Sequence, residues 1–177
     1  MIITFIIVLL AVFGLIYLAR LTRGRTTANH SSADLRAGLR PLDLQAFRNL
    51  TDPAEDEYLR SALSRANYRR ARRDRLRATL AYVSCAADNA AVLIRLGDAA
   101  RLSPDPAVTE AAEKLVNSAI RLRLFAFQAA FRLHLGIVLP VVPNAANHLA
   151  ERYELVTRQG LLLGRMQYPG RGGSVTV

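Results

Sequence analysis

The chain has 177 residues, 51% of them hydrophobic, a net charge of +10 and one cysteine. A lone cysteine excludes an intrachain disulfide framework, and the apolar content excludes a chain too polar to build a core. Of the 24 basic residues all but Lys114 are arginine, so anionic lipid, nucleic acid or an acidic protein are the partners to consider.

Residues 1–19, MIITFIIVLLAVFGLIYLA, carry no charge, and Arg20, Arg23 and Arg25 follow directly. As a helix such a run is about 27 Å long, close to the thickness of a bilayer's hydrocarbon core. Residues 1–22 are therefore expected to form a single transmembrane anchor. A cleaved signal would have a basic start, a shorter apolar stretch and a small-x-small exit, none of which is present. Arginines on the C-terminal flank put the rest of the chain in the cytoplasm, on the inner membrane, with Tyr17 as an interfacial aromatic one turn before Arg20. That orientation keeps the triplets at Asn29 and Asn49 from lumenal glycosylation. Gly14 has no small residue four positions away, so the small-xxx-small pairing motif is absent.

Residues 23–40 read as a flexible linker, basic at first and then small and polar at TTANHSSA. The helical domain is expected over 41–167. Its first element is a short helix in PLDLQAFRNL, and Thr51-Asp52-Pro53 followed by Glu55, Asp56 and Glu57 starts another: cap, proline in the first turn, then acids at the positive end of the dipole. A long helix runs from near Ser64 to about Leu102, where Ser-Pro-Asp-Pro stops it. Its apolar positions Leu76, Leu80, Val83, Ala87, Ala90, Ile94 and Gly97 alternate steps of four and three. Positions Val108, Ala112, Leu115, Ala119, Leu122, Ala126, Ala129 and Leu133 repeat the step between Pro106 and Leu139. Two such seams joined by a short turn predict an antiparallel hairpin, brought close by its alanines. A third arm, capped by Asn144 and running to Gln167 with Ala146, Leu149, Tyr153, Val156, Gly160 and Leu163 inward, closes the hairpin into a bundle. Residues 168–177 form a disordered tail. The expected fold is all-α, with no segment alternating long enough to argue a strand.

The charge is concentrated. Residues 60–77 hold eight arginines against the single Asp74, six of them in RRARRDRLR at 69–77. Arg65, Arg69, Arg70, Arg72, Arg73, Arg75 and Arg77 form the candidate site for anionic lipid or an acidic partner. A solvated helix start, or neutralisation by the acids at 52–57, is the competing structural reading. With the hairpin turning near residue 104, Arg69–Arg73 fall beside the apolar stretch 135–139. A membrane interface accepts both features, whereas nucleic acid uses the arginines alone; the competing reading, which is favoured slightly, makes the apolar end simple core under the short entry helices. A second crossing by 124–142 is disfavoured because Gln128, Arg132 and His134 would sit near its centre.

Catalysis requires convergent acids, bases, nucleophiles or metal ligands. His148-x-x-Glu151 and Glu110-x-x-Glu113 have bundle-metal spacing, but the repeated Glu-x-x-His set of a carboxylate-bridged centre is missing. Cys85 falls in an alanine-rich stretch as a small core thiol. Polar residues near the seams, Asp88, Asn89, Asn117 and Gln128, are candidates to pair inside and fix register. No catalytic residue, cofactor or metal is assigned. The expectation is a non-catalytic interaction or scaffold module, bound to lipid through its anchor and open to a protein partner or a second copy. A membrane-tethered nucleic-acid-binding regulator is the alternative.

Overall fold

The computed structural model describes residues 38–138 and 148–167. The expected anchor with Tyr17, Arg20, Arg23 and Arg25, most of the linker, the Asn144 cap and the tail lie outside these residues. Within them the protein is all-α, with five helices and no strand: α1 (Leu44–Thr51), α2 (Pro53–Ala62), α3 (Arg65–Ala100), α4 (Pro106–Val138) and α5 (Leu149–Gln167).

The two short helices are set by their caps. Asp43 accepts the Ala46 N–H at 3.0 Å to begin α1. Asp52 then serves both helices, its N–H donating to the Asn49 carbonyl and its carboxylate accepting the Ala54 N–H at 2.9 Å, with Pro53 in the first turn of α2. α1 is anchored by Phe47, which is fully buried and stacks on Tyr82 of α3 with centroids 5.4 Å apart. α2 buries no residue fully.

Helices α3 and α4, about 54 and 50 Å long at 1.5 Å per residue, form the hairpin. Asp105 accepts the Ala107 N–H at 2.9 Å, and the Thr109 hydroxyl donates to the carbonyls of Ser103 and Asp105. These bonds satisfy groups that the helix ends leave over. The arms approach closely at Gly97, where a Cβ would lie 2.5 Å from Val116 Cγ2 and 3.2 Å from the Ala112 carbonyl oxygen. Ala86, Ala90, Ala112 and Ala119 are fully buried along the same line. α5 packs along α4 and meets α3 at Gly160, where a Cβ would be 2.9 Å from Leu93 Cδ2.

All eight seam positions read in α4 are buried, as are Leu149, Tyr153, Val156, Gly160 and Leu163 of α5. The seam of α3 is broader than its spacing suggests. Leu76, Val83, Ala90 and Gly97 are buried, but Leu80, Ala87 and Ile94 are only half-buried, while Thr79, Ala86, Asn89, Leu93, Leu96 and Ala100 join the core. The cause is a second set of neighbours: α3 lies between α4 on one side and α1 with α5 on the other, so its buried arc turns toward the latter.

Among the described residues, α3 is the one helix long and apolar enough to cross a membrane by length and composition, and 44% of its most apolar window is buried inside the fold. A core helix meets the same criterion.

Candidate functional site

The arginine cluster occupies the first third of α3, a stretch that begins at the Ser64 cap. Its members serve different ends. Arg75 Nη2 donates to the carbonyls of Asn49 at 3.1 Å and Leu50 at 3.2 Å, placing a positive charge at the C-terminus of α1 where it opposes the helix dipole. Arg77 pairs with Asp74 at 3.2 Å, and Arg73 Nε donates to the Arg69 carbonyl at 3.3 Å. Arg72 is half-buried, whereas Arg65, Arg69, Arg70 and Arg73 are exposed. At helical spacing Arg70, Arg73 and Arg77 form one outward ridge.

The nearby acids are partly engaged on α2. Glu57 pairs with Arg60 at 3.6 Å. Asp56 accepts the Tyr68 hydroxyl at 3.0 Å, and burial together with that carboxylate raises the pKa of the phenol. At the other side of this end of the hairpin, Leu133 and Gly136 of α4 are buried and Ile137 packs on the core, while Val138 is 76% exposed. Within the apolar stretch 135–138, then, Gly136 and Ile137 face the core, Leu135 is half-buried and Val138 is exposed.

Of the four polar residues placed near the seams, Asn89 is buried; Asp88, Asn117 and Gln128 are exposed. The Asn89 side chain accepts the Arg40 N–H at 2.9 Å and donates to the Arg40 carbonyl at 2.8 Å and the Tyr153 hydroxyl oxygen at 2.6 Å. One amide thus ties the segment leading into α1, the middle of α3, and α5. Arg48 of α1 and Arg158 share Glu154 of α5, at 2.9 and 2.6 Å.

The remaining chemical candidates are dispersed. His148 Nδ1 is 3.7 Å from Glu151, both largely exposed. Glu110 is bonded to Lys114 at 2.6 Å, which lowers its carboxyl pKa. Burial raises the pKa of the half-buried Cys85 thiol, the opposite of what an activated nucleophile needs. Among the described residues no three His, Cys, Asp or Glu side chains assemble as a metal site.

Sequence spacing alone left one surface feature unassigned, a shallow cleft of about 280 Å³ between α4 and the start of α5. Gln128, Arg132, His148 and Arg152 line it, with Phe125 and Leu149. The Gln128–Arg132 spacing and the absence of any acid from Lys114 to Val138 are the sequence signals that point to it. No family model, curated protein or solved structure matches this chain.

Proposed function

We propose that the protein is a non-catalytic, membrane-tethered helical module whose arginine-bearing end meets an anionic surface, the headgroups of the cytoplasmic leaflet first and an acidic protein partner second. The observation that carries this reading is the exposure of Arg65, Arg69, Arg70 and Arg73 on a stretch of α3 that Arg75 fastens to α1. Basic residues near an anionic leaflet contribute about 1 kcal/mol each. The uncharged run at 1–19, with arginines on one flank, supports the tether, and the two features call for the same side of the membrane.

The test uses full chain in vesicles with a protease site inserted between Ser32 and Ala33. The uncut protein resists carbonate extraction. After cutting, the helical domain stays on vesicles containing phosphatidylglycerol at low salt and leaves at high salt, and the combined variant Arg69→Gln, Arg70→Gln, Arg73→Gln leaves at both. Release of folded wild-type domain from anionic vesicles at low salt overturns the lipid reading. Capture of that released domain by duplex DNA, independent of base sequence and steeply salt-dependent, favours the regulator instead.

A further inference from the structure

Helix α4 carries two apolar stripes. The first is the buried seam. The second lies on the opposite side, where Ile120 and Leu124 are each 50% exposed and Val138 is 76% exposed, with Phe127, Phe131 and Leu135 half-buried between them. These positions also step by threes and fours, so they form one continuous strip of about 27 Å.

The charges beside the strip are all of one sign. From Lys114 to Val138 there is no Asp or Glu, while Arg121, Arg123 and Arg132 flank the strip. An apolar strip bordered by arginine is the pattern of a helix lying in a membrane interface. The same flanks argue against a second copy, because two such faces would bring like charges together.

The α4–α5 cleft adjoins this strip, since Gln128 on its rim is one turn from Leu124. The Arg152 guanidinium sits 3.7 Å above the Phe125 ring, and Arg132 lines the cleft with it. His148 stands beside Glu151, but neither arginine has an ion pair among the described residues. At about 280 Å³ the cleft takes a phosphodiester head and not a whole lipid.

We infer that this cleft is a headgroup site for an anionic phospholipid, with the outer strip of α4 lying against the acyl region of the same leaflet. The inference rests on the membrane-facing reading above and adds the place where lipid is held. Arg132 and Arg152 bond the phosphate, Phe125 holds the Arg152 guanidinium in place, and Ile120, Leu124 and Val138 replace water with hydrocarbon.

The protein has no tryptophan, so Leu124→Trp introduces a single reporter. Full chain carrying it is reconstituted in vesicles of phosphatidylcholine and phosphatidylglycerol with brominated acyl chains. The expected result is blue-shifted, quenched emission, with Arg132→Gln and Arg152→Gln each shifting the equilibrium away from the quenched state by about fivefold and Arg60→Gln leaving it unchanged. Quenching untouched by the two cleft variants overturns the headgroup site. So does equal quenching in vesicles of brominated phosphatidylcholine alone, because no anionic headgroup is then needed.

Unquenched blue emission overturns the inference by showing a protein cover: a second copy if it reddens on dilution with lipid, and this chain's own apolar segment if it does not. Unquenched red emission overturns it as well. A parallel reporter, Ala66→Trp, reads energy transfer to a headgroup-labelled lipid. Transfer there without quenching at residue 124 leaves the arginine-end reading standing while this one fails. Loss of both signals removes both.

Discussion

The two parts of α3 are held by different physics. From Arg65 to Arg77 the helix buries one residue, Leu76, whereas from Thr79 to Ala100 it buries ten. The second part is fixed by close packing against α4 and α5, down to a glycine where a methyl group would collide with Val116. The first is fixed by polar contacts: the Tyr68–Asp56 bond to α2, and the Arg75 bonds to the end of α1. Packing requires that side chains turn inward. Polar fastening at a few points lets Arg65, Arg69, Arg70 and Arg73 stay exposed, and this is how a run of arginines is carried on a folded helix.

The difference is tested most strongly in the packed part. Leu115 is fully buried and lies near the close approaches at both Gly97 and Gly160. Leu115→Ala removes those contacts and opens a cavity that rigid neighbours cannot refill, so unfolding in urea should show a loss of about 2–5 kcal/mol. The half-buried Leu59 of α2 is the matched deletion in the other part, and Leu59→Ala should cost under about 1 kcal/mol. Equal losses would break the comparison.

Asn89→Ala comes next. It strands the N–H and carbonyl of Arg40 and the Tyr153 hydroxyl, and unsatisfied buried groups cost about 1–3 kcal/mol. Because Arg40 lies where the chain enters the domain, the variant should also raise amide exchange at Arg40 more than in α4. Uniformly faster exchange would make Asn89 an ordinary core residue rather than the fastening of the lead-in segment.

How far these two regimes can be read from sequence differs. The α4 and α5 seams were legible because each helix turns one main arc to the core, so a three-four step finds it. In α3 the same step finds Leu80, Ala87 and Ile94, which pack at the edge of the core, but misses Thr79, Ala86, Leu93 and Leu96, because several helices share α3 and periodicity reports one direction only. Asn89 could be flagged as a polar residue near the seam, but its partners, a backbone pair 49 residues away and Tyr153 on α5, follow from tertiary placement. The arginine cluster was plain as composition. Arg75 could not be distinguished from its neighbours, since its role depends on where α1 ends.

That distinction gives the smallest expected effect and the sharpest one. Arg75→Gln removes the charge facing the Asn49 and Leu50 carbonyls and should cost about 0.5–1.5 kcal/mol, less at high salt as the dipole term is screened. The combined variant Arg69→Gln, Arg70→Gln, Arg73→Gln removes three charges from a stretch that repels itself. It should leave stability within about 0.5 kcal/mol of wild type, or raise it slightly at low salt. The readout is urea unfolding at two ionic strengths. If the triple variant loses more than Arg75→Gln, those arginines are structural and the neutralisation of the cluster by the acids at 52–57 is the correct reading. If it does not, they are present on the helix at no gain to the fold, and the vesicle experiment decides between a solvated face and one that holds an anion.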